Sequence, residues 1–277
     1  MIQTQKLGLR WTVGNVSARG FEALRLSLWG AWNLFGPEAA YLVAVNSLAL
    51  ADAHRKTGMA PDAIQWIQVT AGGIPDWLRP HLDPAMAEGV AWKLAPLRFF
   101  PDRYELALDN DCILWDLPDA LRSWLDGRHA DHVVFAEDAT RALGQFSDLC
   151  GPEPRNSGIR GLPPGFDYER ALQKVFQKHP VILSSELDEQ GLQAAALEQA
   201  APLLAVSLDD VTICSPFPPH RPALGRCGAH FVGTNAHSLP WALNGRPATA
   251  HLDDHWQLHR PTLYTRVGLG PPPPLAL

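Results

Sequence analysis

The chain has 277 residues, 46% hydrophobic and 19% charged, a balance typical of a folded globular protein and not of a disordered one. A net charge of −6 and the lack of a dense Lys/Arg block argue against a nucleic-acid partner, whose phosphates are held by clustered basic side chains. The longest apolar run, "AAYLVAV", is too short to cross a bilayer, and the first residues lack a secretory signal. We therefore expect a cytoplasmic protein without a transmembrane segment, its scattered cysteines reduced.

The first half of the chain alternates predicted strands with predicted helices. Apolar runs and alternating patterns predict strands at 7–13, 41–46, 63–70, 106–108 and 132–138. Helical spacing predicts helices at 21–35, with Ser17 as the N-cap, at 85–100, ending before Pro101, and at 117–127. This alternation predicts an α/β fold with a mostly parallel central sheet flanked by helices.

The second half of the chain is less regular. Residues 151–167 are rich in Gly and Pro, which predicts a loop with at most a short strand. Helices are predicted at 167–177 and 188–200, and late strands at 211–216 and 228–234. We expect one domain over 1–265, divided softly near residue 150, and an exposed Pro-rich tail at 266–277.

Two acids follow one of the predicted strands. Asp109 and Asp111 lie one residue apart, and in extended chain such side chains point to the same side, where they can bind a hard cation. Ligands of open α/β sheets lie beyond the carboxyl ends of the strands. On spacing alone, however, a turn capped by Asp109 with a solvated Asp111 is the commoner arrangement.

The surrounding stretch "AWKLAPLRFFPDRYELALDNDCILW" resembles the core of nucleotide-sugar-dependent glycosyltransferases of the GT-A fold. In that family a helix with a basic residue precedes a strand that ends in a DxD motif. The acids of this motif hold Mn²⁺ or Mg²⁺, which in turn holds the diphosphate of the donor. The resemblance therefore implies that Asp109 and Asp111 bind the metal.

Three later stretches are similar to glycosyltransferase family eight, the group that contains glycogenin and bacterial lipopolysaccharide sugar transferases. They are "RNSGIRGL", "DEQGLQAAAL" and "GAHFVGT", in the order of the family's motifs. The resemblance runs from about residue 8 to 241. It implies metal-dependent transfer of a sugar from a nucleoside-diphosphate sugar, by default a UDP-hexose, to an unknown sugar, lipid or protein acceptor.

The resemblance also assigns expected roles to polar residues. Its metal ligands are Asp109, Asp111 and His230. Its catalytic residues are Glu189, Gln190 and Asp138. Its donor-binding residues are Thr12, Asn15, Asn46, Lys93, Arg98, Asn110, Asn156, Ser157, Gly233 and Thr234. The nucleotide-binding half would then be about 1–150 and the acceptor half about 151–265.

Each of the later motifs also has a purely structural interpretation. Residues 156–158 could form only a turn. Glu189 and Gln190 could belong to an exposed polar helix face, the usual location of such residues. His230 could be a hydrogen-bonded core histidine.

Two departures from the family pattern are visible. The family's Lys-Pro-Trp, whose lysine binds diphosphate, has no counterpart in "HFVGTNAHSLPW". The leaving group would have to be stabilised by the metal, by Lys93 or Arg98, or by polar groups such as Thr234, Asn235 and His237. Gly191 stands where the family has a third acid in its DQD motif. Retention or inversion at the sugar therefore cannot be inferred, and an inverting enzyme would need Glu137 or Asp138 as its base.

Two other functions remain open. The segment "HLDDHWQLH" offers a second metal constellation in His251, Asp253, Asp254, His255 and His259. Its histidines are four residues apart, a helical spacing suited to zinc or another transition metal in a metal-dependent phosphoesterase. Because this segment lacks an apolar face and lies near the tail, we expect a solvated polar segment instead. A non-catalytic protein that binds a nucleotide sugar would also fit the two departures.

Overall fold

The computed structural model describes residues 6–83 and 93–274. Its strands, numbered in chain order, are β1 Leu7–Val13, β2 Ala40–Val45, β3 Ile64–Gln68, β4 Tyr104–Asp109, β5 Cys112–Leu114, β6 Val133–Glu137, β7 Arg155–Leu162, β8 Leu203–Val206, β9 Val211–Ile213, β10 Gly228–His230, β11 Ala242–Leu243 and β12 Arg246–Pro247. Its α-helices are α1 Ala18–Phe35, α2 Leu50–Thr57, α3 Asp119–Leu125, α4 Tyr168–Lys178, α5 Glu186–Ala200 and α6 Ala248–Arg266. Short 3-10 helices lie at Ala71–Gly73, Arg79–His81 and Gly144–Leu149.

A seven-stranded sheet forms the centre of the described molecule, in the order β3-β2-β1-β4-β7-β6-β8. Every neighbouring pair is parallel except the two that β7 makes with β4 and β6. The predicted α/β fold with a mostly parallel sheet is therefore confirmed. A small second sheet, β5-β10-β9, adjoins the carboxyl end of β4.

The first helix shows how the sequence determines the local structure. Ser17 accepts a hydrogen bond from the Gly20 amide and so caps α1, as predicted. The helix ends at Gly36, whose φ of 68° suits a residue without a side chain. Phe21, Leu24 and Leu28 are buried against the sheet, which gives α1 its apolar face.

The prediction of a loop at 151–167 is wrong. Residues 155–162 form β7, an eight-residue strand in the interior of the sheet. Its glycines, which suggested a loop, are close-packing positions: a Cβ on Gly161 would lie 2.8 Å from the Val134 side chain, and one on Gly158 would lie 2.4 Å from the His230 ring.

The predicted helix at 85–100 is wrong over its described part. Residues 84–92 lie outside the described chain, 93–94 belong to a 3-10 turn, and 95–100 form bends and irregular chain. Pro96 has no amide hydrogen to donate within a helix. The amides of Phe99 and Phe100 instead donate to the buried Glu105 carboxylate, each at 2.7 Å.

The expectation of a solvated His-rich segment is also wrong. This segment lies in α6, where Leu252, Trp256 and Leu263 are buried against α1 and the small sheet. Trp256 Nε1 and Arg260 donate to the buried Glu22 carboxylate of α1. The sequence pattern did not show the buried face of α6, because charged side chains form part of its contact with α1.

None of the described helices combines the length and the apolar character needed to span a bilayer.

Candidate active site

A cavity of about 580 Å³ opens at the carboxyl ends of β1 and β4. The amino-terminal ends of β7 and α5 form its other side. Most of the site residues expected from sequence line it, namely Thr12, Asn15, Asn46, Lys93, Asp109, Asn110, Asp111, Asp138, Asn156, Ser157, Glu189, Gln190, His230 and Gly233. The antiparallel course of β7 brings the second half of the chain to the strand ends of the first.

The two acids and His230 meet at one corner of this cavity. Asp109 ends β4, Asp111 precedes β5, and His230 ends β10 next to β5. His230 Nε2 lies 3.2 Å from Asp111 Oδ1 and 3.5 Å from Asp109 Oδ2. One ligand atom from each residue lies within 4.8 Å of the others.

This cluster has the donor set of a divalent cation site. Asp111 is 3% exposed, and its Oδ1 has no hydrogen-bond partner within the described residues other than the close contact of 3.2 Å with His230 Nε2. A buried carboxylate oxygen without a partner is costly unless something compensates its charge. Two carboxylates and one imidazole would suit Mn²⁺ or Mg²⁺.

Lys93 adds a positive charge beside the cluster. Its Nζ lies 2.7 Å from Asp109 Oδ1 and 3.2 Å from Ser157 Oγ. Although burial alone lowers the pKa of Lys93, the attraction of Asp109 and Glu189 raises it above its usual value. Lys93 is therefore charged at neutral pH and lies directly beside Asp109 of the cluster.

Glu189 lies inside the cavity wall rather than on an exposed helix face. Its residue exposure is 1%, and both carboxylate oxygens lack a hydrogen-bond partner within the described chain. Burial raises the pKa of Glu189 to about 7, against the opposing attraction of Lys93. Such a carboxyl group can gain or lose a proton near neutral pH, and it can form a hydrogen bond with a bound molecule.

Gln190 and Asn156 are fixed by the protein's own polar groups. Gln190 accepts from the Ser157 amide at 3.0 Å and donates to the Ala142 carbonyl at 2.9 Å. Asn156 donates to Asp138 and accepts from the amide of Gly158. These hydrogen bonds fix the cavity wall formed by α5 and β7. The bond from Asn156 also holds Asp138, which lines the cavity.

The sequence matches no protein-family model and no curated protein, but its fold matches solved structures. The galactosyltransferase LgtC, in complex with donor and acceptor sugar analogs, aligns with a TM-score of 0.57 and 13% identity, covering 96% of this chain and 98% of that one. An active-site mutant of LgtC aligns with a TM-score of 0.53 and 11% identity, covering 94% and 99%. The fold is GT-A.

Three of the expected donor-binding residues serve other contacts of this GT-A chain. Arg98 lies outside the cavity and donates to the carbonyls of 100, 103, 163 and 166. Thr234 is buried, and its carbonyl accepts from Ser17 Oγ. Asn110 lines the cavity but forms reciprocal amide hydrogen bonds with Asn235, which also donates to Asp111.

Sequence reasoning missed His220. It lies in the loop between β9 and β10, lines the cavity, and brings Nε2 to 3.9 Å from Asp138. The surrounding "PFPPHRP" has no periodicity that could have placed it. Glu137, the other acid considered as a base, instead accepts from the Leu208 amide.

The structure explains why α5 carries Gly191 rather than an acid. A Cβ at this position would lie 2.0 Å from the carbonyl oxygen of Leu143. The helix therefore packs directly on the backbone of the neighbouring 3-10 segment. Any side chain at 191 would force these two elements apart.

Gly158 positions His230, and we expect Gly158→Ala to weaken Mn²⁺ binding by about tenfold, the lower range for losing a supporting contact. The added methyl group would displace the imidazole on which the third donor lies. Titration calorimetry with Mn²⁺ measures the change.

Gly161→Ala is the matched control, because its Cβ would press on Val134 of β6 and Trp124 of α3 but not on the cluster. Both variants should lose about 1–3 kcal/mol of stability from overpacking. Equal Mn²⁺ affinities in the two variants would contradict a positioning role for Gly158.

Proposed function

We propose that this protein transfers a sugar from a nucleoside-diphosphate sugar to an acceptor with the help of Mn²⁺ or Mg²⁺. The observation that supports this function is the cluster of Asp109, Asp111 and His230 at the strand ends of a GT-A sheet, inside a cavity of about 580 Å³. A UDP-hexose is the expected donor, from the resemblance of the motifs, and the acceptor is a sugar, a lipid or a protein.

The cluster would hold the cation through Asp109, Asp111 and His230. When bound, such a cation neutralises the charge that develops on a departing diphosphate. Lys93 would lie beside the same phosphates and replace the lysine that the carboxyl-terminal motif lacks. Thr12 near the end of β1, together with Asn15 and Asn46 on the loops after β1 and β2, would contact the nucleotide.

The sugar would lie between the cluster and α5. Glu189 would bind a sugar hydroxyl, because a buried carboxyl group without a partner gains most from such a hydrogen bond. Gln190 and Asn156 would keep donor and acceptor in attack geometry. Asp138, beside His220, would take the acceptor proton if the transfer inverts the anomeric centre.

A thermal-shift screen tests the donor site. We expect UDP and UDP-sugars to raise the melting temperature only with Mn²⁺ or Mg²⁺ present, because the cation bridges protein and diphosphate. UMP, which lacks the second phosphate, is the matched control ligand. Equal stabilisation by UDP in EDTA would contradict the metal-bridged site.

Turnover separates the transferase from a non-catalytic binding protein. Gly191, which leaves the site without the family's third acid, is the observation that favours the second candidate. Release of UDP from a UDP-hexose that rises with an added acceptor supports transfer. Tight binding without UDP release over a panel of sugar, lipid and peptide acceptors would favour the binding protein.

A further inference from the structure

A second group of metal-binding side chains lies outside the candidate active site. Cys214 directly follows β9, and His255 and His259 lie one turn apart on α6. Their donor atoms lie within 4.8 Å of one another. The sequence had suggested an acidic partner for these histidines, whereas the fold supplies a cysteine from a distant strand.

The spacing of the donors is close to that of a tetrahedral zinc site. Cys214 Sγ lies 3.8 Å from His255 Nε2. Zinc bonds of about 2.3 Å to sulfur and about 2.0–2.1 Å to nitrogen place these two atoms about 3.5 Å apart in a tetrahedron. A shift of a few tenths of an ångström would therefore bring this pair to tetrahedral spacing, and His259 Nε2 lies within 4.8 Å of both atoms.

A fourth donor is already in place. The Pro222 carbonyl oxygen accepts hydrogen bonds from His255 Nε2 at 3.2 Å and from His259 Nε2 at 2.8 Å, and an ion bound to the two nitrogens would take the place of these hydrogens. Both imidazole nitrogens therefore point to one region that also contains a thiol and a carbonyl oxygen. Two nitrogens and one sulfur, with an oxygen in the fourth position, form a donor set that zinc favours.

The surroundings hold these rings in place. Cys214 is 1% exposed and His255 is 8% exposed, while His259 is half-buried and leaves a path for the ion. The two imidazole rings lie edge to face with centroids 4.7 Å apart, and each lies 6.0 Å from the Phe231 ring. The ligands are thus pre-arranged on a helix and a strand rather than on a loose surface.

We propose that Cys214, His255 and His259 bind a structural zinc ion, with the Pro222 carbonyl or a water as the fourth ligand. This site is separate from the cation of the proposed transfer, because none of the three side chains lines the cavity. The ion would join α6 to the small sheet and to the loop at 215–226.

The zinc would also fix one wall of the cavity. The loop between Cys214 and Pro222 carries His220, which lines the cavity beside Asp138. The Cys214 amide also donates to the His230 carbonyl at 2.8 Å. Ordering this loop would therefore restrict His220 without supplying any group to the chemistry itself.

Cobalt substitution of the whole chain is the first test. Co²⁺ added to the reduced, metal-free protein should give the strong near-ultraviolet absorption of a thiolate–cobalt bond and the visible bands of a tetrahedral ion. The oxygen-rich cluster at Asp109 and Asp111 has no thiolate and cannot give the first signal. Absence of the thiolate band at saturating Co²⁺ would overturn the proposal.

Variants identify the ligands. Cys214→Ser and His259→Ala should each weaken zinc binding by more than about 100-fold, the upper cost of losing a mere supporting contact. Cys227→Ala, another buried thiol, and His251→Ala, one turn earlier on α6, are the matched controls and should keep the affinity. Competition with a chromogenic zinc chelator measures all four, and unchanged affinity in Cys214→Ser would reject the site.

A further measurement covers the case in which a variant fails to fold. Titration of the zinc-loaded wild-type protein with an organomercurial thiol reagent should release about one zinc per chain, detected with a zinc indicator, as expected for a thiolate ligand. Asp111→Asn, which disrupts only the other cluster, should release the same amount. Reaction of all thiols without release of any zinc would contradict the proposal.

Discussion

Asp111→Asn is expected to lower sugar transfer by about 10²–10³-fold and to weaken Mn²⁺ binding by at least about tenfold. The substitution keeps the size of the side chain and the contact with Asn235, but it removes the charge of the buried oxygen that has no partner. UDP release from a UDP-hexose and calorimetry with Mn²⁺ measure the two effects.

Asp62→Asn is the control for this loss, since Asp62 is exposed and does not line the cavity. Its activity and Mn²⁺ affinity should equal those of the wild type. If Asp111→Asn keeps full activity and Mn²⁺ affinity, Asp109 and His230 do not form a metal site with it.

Glu189→Gln is expected to stabilise the metal-free protein at alkaline pH while lowering its activity. Burial raises the pKa of Glu189 to about 7, whereas the ordinary value is 4.5. The folded state therefore favours the protonated acid, and ionisation of Glu189 lowers the free energy of unfolding by about 3 kcal/mol. A neutral glutamine of the same shape avoids this cost.

The sign of the pH dependence follows from the raised pKa. Below about pH 4.5 the carboxyl group is protonated in both states, so variant and wild type should have similar free energies of unfolding. The wild type should lose stability between about pH 4.5 and 7, and the difference should stay constant above that range. Urea unfolding in EDTA at several pH values measures it.

Glu198→Gln, on the same helix, is the contrasting control. The Glu198 carboxylate already accepts from Arg155 and from the Gly151 amide, so its removal should cost stability instead of adding it. A Glu189→Gln variant less stable than the wild type at pH 8 would mean that the Glu189 carboxylate has partners in solution. A gain in stability with a loss of activity, as expected for Glu189→Gln, is typical of substitutions at functional residues.

Much of the fold could be predicted from periodicity. The apolar patterns of the sequence predict β1, β2, β3 and α1, but they do not predict α2, where the stretch between β2 and β3 is mostly polar. β7 could not be predicted in this way, because Gly158 and Gly161 are small to make room for neighbours distant in sequence. The burial of α6 was not predicted for a related reason, because its Arg260 pairs with Glu22 of α1, which is distant in sequence, and so becomes part of a buried contact.

The candidate site was predictable where a motif carries it. Asp109, Asp111 and His230 were expected together from the resemblance, and the fold brings them within reach of one ion. His220 and the pairing of Cys214 with His255 had no local signal, because each depends on a loop or strand placed by tertiary packing. Arg98 was misplaced because its segment, expected to be a helix, turns instead toward Glu105.

The contact between Gly191 and Leu143 also limits how this chain could have evolved. An aspartate introduced at 191 would collide with a backbone atom, which cannot rotate away as a side chain can. An acid at position 191 would require the segment at 144–149 to move first. A single substitution at 191 would therefore not produce the DQD-like motif at 189–191.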